Sequence, residues 1–251
     1  MQMDGEESSN IEDRRSDGGY AGGGFGGGGF GGIPMGGGGG GLFKGGFGVI
    51  AFIVIALIFG ADPMAIVGGL GGGGSGSNYA PTQQQSANRT TRPPAQSSPG
   101  DPEAQFVSRV LKSTEDVWTG LFRDNMGGRR YVDPKLVLYR DATQTACGAG
   151  QAAMGPFYCP ADQRVYLDLA FFDDLARRFH APGQFPQAYV IAHEVGHHVQ
   201  NLLGISGKVE KMRESMSKRD GNALSVRTEL QADCFAGVWA NRADLARGGK
   251  M

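Results

Sequence analysis

Cysteine is sparse in this chain, three in 251 residues, and no two stand in C-x-x-C spacing, so the sequence does not spell a thiolate zinc ribbon. Excess charge of either sign is also missing. Twenty-four Lys and Arg face 25 Asp and Glu, leaving a net charge of −1. The C-terminal region has no basic stripe interleaved with aromatics, which argues against nucleic acid as a partner. Long apolar runs are absent with one exception, Gly45 to Ala61, which carries no charge. What the chain has in abundance is glycine, 44 residues, well over half of them before Ser75.

That unevenness divides the chain. Residues 1–41 open with the charged stretch Asn10-Ile11-Glu12-Asp13-Arg14-Arg15 and continue as glycine punctuated by Phe25, Phe30, Ile33 and Met35. Such a composition buries too little apolar surface to offset ordering entropy, so a disordered tail is expected. Residues 42–70 hold the apolar run, near the lower length limit for a bilayer span, and read as an uncleaved single-pass anchor. Arg14, Arg15 and Lys44 precede it and no Lys or Arg follows until Arg89. This bias places the N-terminus in the cytoplasm and the C-terminal domain outside the cell membrane. Residues 71–100 form a Gly/Ser and then Gln/Thr/Pro linker, and residues 101–251 the folded domain.

Within that domain Asp101-Pro102-Glu103 is a helix start, and Phe106, Val107, Val110, Leu111, Val117, Trp118, Leu121 and Phe122 recur on one helical face. Lys135–Arg140 and Arg164–Asp168 read as strands, and Phe171–Phe179 as a short helix. Cys147 and Cys159 lie between the strands and can pair as a disulfide outside the cytoplasm, stabilising the loop by about 3 kcal/mol. Cys234 reads as a small buried thiol. Pro186 and Gly204 bracket a further helix, Lys208–Asp220 reads as a solvated helix or mobile connection, and Asn222 caps the last helix, with Leu224 and Leu230 among its packing residues.

The stretch Val190–Gln200 contains H-E-x-x-H. Residues four apart share a helical face, so His193 and His197 can aim at one metal ion while Glu194 projects beside it. Catalytic zinc needs a third protein ligand and an open position. Glu229 and Asp233, again four apart, offer a carboxylate for the metal and a second to accept the free N–H of a ligating histidine. His198, His180, Tyr158 and Tyr189 are candidates by residue type for stabilising an oxyanion.

These features together resemble the bacterial neutral zinc metallopeptidase family. The similarity runs through Asn10–Arg15, the apolar run, Glu115–Trp118, Cys147-Gly148, Gly155–Pro160, Val165–Leu169, His193–Gln200 and Glu229–Gly237. The resemblance implies a zincin-like α+β domain with a helical H-E-x-x-H and a small sheet, His193, His197 and Glu229 as zinc ligands, Glu194 as general base and Asp233 as support. Members of the family continue past the second metal helix, so a shortened C-terminal region is expected here. The function implied is a membrane-anchored zinc peptidase, an endopeptidase rather than an exopeptidase, hydrolysing peptide or protein substrates by zinc-activated water. The rival reading is a membrane-tethered binding or scaffold protein whose zinc only supports folding.

Overall fold

The computed structural model describes residues 3–17, 100–127, 129–151 and 155–249. In chain order these form β1 (Ile11–Asp13), α1 (Pro102–Asn125), β2 (Lys135–Tyr139), β3 (Ala142–Thr145), β4 (Gly148–Gln151), β5 (Phe157–Cys159), β6 (Arg164–Asp168), α2 (Ala170–Arg177), α3 (Gln184–Leu202), α4 (Ile205–Glu214) and α5 (Lys218–Ala246). The α+β class is as expected. The anchor region 42–70 and all but the last residue of the linker lie outside the described residues. Among the described residues, no helix is long and apolar enough to cross a membrane.

A four-stranded sheet runs in the order β1-β2-β6-β5. β1, β2 and β6 are parallel, and β5 is antiparallel to β6. Strand side chains alternate between faces. Leu136, Leu138, Val165 and Leu167 therefore share the main core with Val107, Leu111, Trp118, Ile191, Val195 and Trp239 from the helices. Val137, Tyr139, Tyr166 and Cys159 form a second cluster on the other face with Phe157. The hairpin β3–β4 sits over it, close enough that a Cβ on Gly150 would lie 2.6 Å from the Phe157 ring. A disulfide between Cys147 at the hairpin turn and Cys159 on β5 ties the two together, as the sequence suggested.

The N-terminal segment departs from the expected disordered tail. Residues 3–17 are laid against the domain, with Leu136 N–H donating to Asn10 O at 2.9 Å and Arg14 N–H to Leu138 O at 2.8 Å. Glu115, buried on α1, accepts from Ser8 Oγ at 2.6 Å and Asn10 Nδ2 at 2.9 Å. Arg15 grips both Asp13 oxygens at 2.9 and 2.6 Å and Asp101 at 2.5 Å. The charged composition that argued for disorder is consumed in ion pairs inside the fold. The other residues of the glycine-rich tail, 18–41, lie outside the described residues.

The helices hold smaller surprises. α1 starts at Asp101 as expected, its carboxylate accepting from the Glu103 and Ala104 N–H groups. α3 starts two residues before Pro186, and the charge-dense stretch after Gly204 is helical over Ile205–Glu214. Ser217, not Asn222, caps α5 by accepting from Asp220 N–H. Gly221, Ser225, Thr228, Glu229, Ala232, Ala236, Trp239 and Ala243 make the buried face of α5, so Leu230 and Cys234, rotated off it, are exposed rather than packed.

Candidate metal centre

Core residues Val190, Ile191, Val195 and Val199 bury α3 against the sheet and helices, which fixes the rotation of the helix and turns His193 and His197 towards α5. The two helices approach closely where they cross. A Cβ on Gly196 would lie 2.9 Å from the Ala232 carbonyl oxygen and 3.1 Å from its Cα, so only glycine fits at 196 without a shift of the backbones. This contact carries Glu229, one helical turn before Ala232, over the two imidazoles.

His193 Nε2 and His197 Nε2 each lie 3.2 Å from Glu229 Oε2. All three ligand atoms fall within 4.8 Å of one another. Ligands 2.0–2.1 Å from a tetrahedral ion are separated by about 3.3 Å, so the spacing suits zinc. The second Glu229 oxygen, Oε1, is buried without a hydrogen-bond partner. A cluster of two imidazoles and one carboxylate, with an orphaned oxygen among them, is a donor set that fits the ion.

The far nitrogens of the histidines are held differently. His193 Nδ1 bonds Asp233 Oδ1 at 2.8 Å, and the same oxygen accepts from the Tyr189 hydroxyl at 2.7 Å. His197 Nδ1 bonds Gln200 Oε1 at 2.9 Å, while Gln200 Nε2 donates to Thr228 O at 2.7 Å and Gln231 Oε1 at 3.1 Å. Glu229 thus lies towards the imidazole cluster and Asp233 behind His193. Gln200 was missed as a site residue. Its signal was its spacing, three residues after His197 on the same helical face.

Electrostatics follow the geometry. Burial opposes the charged form of His193, but hydrogen bonds to Asp233 and Glu229 outweigh it and raise its pKa to about 10. A proton and a metal compete for the same Nε2 lone pair. Burial also opposes ionisation of Glu229, yet its hydrogen bonds to both histidines hold it below the usual carboxylate value. Glu194 is 2 % exposed, and burial pushes its pKa up against the pull of both imidazoles and the backbone N–H of Tyr158. A carboxylate whose neutral form is favoured by burial is more basic than a solvated one.

Three of the four oxyanion candidates are engaged elsewhere. Tyr189 donates to Asp233. Tyr158 Oη lies 2.9 Å from His198 Nδ1 and accepts from Asn201 Nδ2 at 3.0 Å, while His198 Nε2 bonds Val132 O at 2.7 Å. Burial lowers the pKa of His198 in spite of that carbonyl, which favours the neutral ring whose Nε2–H donates to Val132 O and whose Nδ1 accepts from the Tyr158 hydroxyl. This network fastens β5 to α3 and sets the Tyr158 backbone beside Glu194. His180 is exposed at a positive φ of 53°.

Comparison with known proteins gives the same direction. The family described as "putative neutral zinc metallopeptidase" matches residues 1–249. The uncharacterized protein YpfJ of Escherichia coli strain K12 is 45% identical over 235 residues, covering 94% of this chain and 72% of the relative. The uncharacterized protein Rv2575 of Mycobacterium tuberculosis strain H37Rv is 43% identical over 118 residues, covering 47% of this chain and 39% of its own length. No solved structure matches.

Proposed function

Because the chain belongs to the neutral zinc metallopeptidase family, we propose that it hydrolyses peptide bonds with Glu194 as general base and His193, His197 and Glu229 as the residues that hold zinc. When bound, zinc supplies a Lewis acid that polarises a carbonyl and brings the pKa of water from 15.7 towards about 7, roughly 12 kcal/mol in favour of hydroxide. Glu194 takes the proton of the attacking water as it adds to the scissile carbonyl and returns it to the leaving amine. Asp233 and Gln200 orient the two imidazoles through their Nδ1 atoms, so that both Nε2 lone pairs face the ion.

The observation that carries this reading is the buried Glu194, beside the ligand cluster yet outside it. A zinc site that only supports folding has four protein ligands and no use for such a base. Glu194→Gln should keep about one zinc per chain and lose hydrolysis of an unfolded protein substrate by about 100- to 10,000-fold. Turnover equal to wild type would remove the assigned role. Absence of hydrolysis in a zinc-loaded wild type across a broad peptide library would favour the binding or scaffold alternative. The endopeptidase reading is tested by the products, internal fragments against released terminal residues. An extracytoplasmic location for the domain is supported by the Cys147–Cys159 disulfide, a bond that persists in oxidising compartments.

A further inference from the structure

The N-terminal residues and the domain that begins at residue 100 are parts of one sheet, although the apolar run Gly45–Ala61 stands between them in sequence. β1 pairs with β2 in parallel register, Ile11 opposite Leu136, Glu12 opposite Val137 and Asp13 opposite Leu138. Beyond the strand, Met3 is 3 % exposed, and Ser8 N–H donates to Ser108 O at 3.2 Å. Residue 15 is fastened beside residue 101, at the start of α1. Arg15, its side chain 3 % exposed, reaches Asp13 and the α1 cap Asp101 at once.

From this closure we infer that residues 3–17 and the peptidase domain occupy the same side of any membrane the chain meets, so the apolar run does not carry the chain across once. Neighbouring strands lie about 4.8 Å apart, whereas the hydrocarbon core of a bilayer is about 30 Å thick. A single crossing would place β1 and β2 on opposite faces and dismantle the sheet edge and the Arg15 clamp. Exchange of residues 3–17 between two copies inserted in the same direction leaves the same separation.

The charge pattern that suggested a cytoplasmic N-terminus loses most of its weight once its partners are seen. Arg14 is paired with Glu12 at 2.6 Å, and Arg15 with Asp13 and Asp101 at 2.6 and 2.5 Å. Orientation is set by basic residues within about 15–20 positions of a span, and both arginines lie farther than that from Gly45. Lys44 alone remains as a signal in range.

The test uses the full chain in a Cys234→Ser background, with Glu6→Cys in one variant and Lys218→Cys in another, both at exposed positions. Spheroplasts expressing each are treated with a membrane-impermeant maleimide before and after detergent lysis. The expected result is the same behaviour at both positions, labelled in intact spheroplasts if the domain is external and protected until lysis if it is internal. Labelling of one position with protection of the other overturns the inference. Neither outcome depends on peptidase activity.

Discussion

Two buried polar clusters hold this fold, and they differ in what they leave unsatisfied. At the N-terminal clamp Arg15 binds Asp13 and Asp101, and Glu115 accepts from Ser8 and Asn10, so each of these side chains finds its hydrogen-bond partners inside the chain. At the metal centre Glu229 Oε1 and Asp233 Oδ2 have no partner, the only such buried carboxylate oxygens among the described residues. Leaving a buried polar atom unpaired costs about 1–3 kcal/mol. The clamp is complete as it stands, and the metal centre is built around something the chain does not itself supply.

The sharpest break of that contrast is at Glu229. Glu229→Ala should reduce bound zinc from about one per chain to near none, measured by metal analysis, while the clamp and the fold persist. Next, zinc should stabilise wild type in thermal unfolding by about 4 kcal/mol at a free concentration a thousandfold above Kd, and a chelator should abolish the gain. Glu229→Ala should show no such dependence.

The clamp should respond in the opposite manner. Arg15→Leu leaves Asp13 and Asp101, side chains 22% and 24% exposed, without their cation and should cost about 1–2 kcal/mol in denaturant unfolding without changing zinc content. Its hydrogen bond to Arg15 depresses the Asp13 pKa despite burial, and Asp101, although burial opposes it, is likewise lowered by Arg15. Groups with depressed folded-state values contribute stability that is full above the ordinary value of 3.8 and lost as pH falls through the folded-state value. The gap between wild type and Arg15→Leu should therefore be constant at neutral pH and close below pH 3.8. A gap that persists there would mean Arg15 acts through packing and not charge.

Within the metal centre the two histidines provide a finer contrast. Asp233→Asn removes the carboxylate behind His193 and should weaken zinc binding by up to about 100-fold, and Gln200→Ala behind His197 by about 10-fold. The order follows from charge, because a carboxylate raises the basicity of its imidazole more than an amide does. Equal losses would show that Asp233 and Gln200 only orient the rings.

Much of the centre could be read in advance because it is local. The four-residue spacings of His193 with His197 and of Glu229 with Asp233 are properties of a single helix, as is the cap at Asp101. The strands Lys135–Tyr139 and Arg164–Asp168 were legible for the same reason, being short apolar runs bounded by turns. The three-residue strands β1 and β5 were not, since so few residues carry no periodicity and their pairing partners are distant in sequence. Leu230 and Cys234 were misplaced because a helix with polar residues on its buried face does not announce its rotation.

The sequence by itself determined the chemistry available, two imidazoles and a base on one helix and two carboxylates on another, because helical geometry fixes which side chains share a face. Only the tertiary structure decided which carboxylate joins the imidazoles, through the close crossing at Gly196 and Ala232 that brings Glu229 forward and leaves Asp233 behind His193. It also decided that the charged N-terminal residues belong to the domain. Their ion pairs join Arg15 to a residue 86 positions away, and no local pattern encodes a contact of that range.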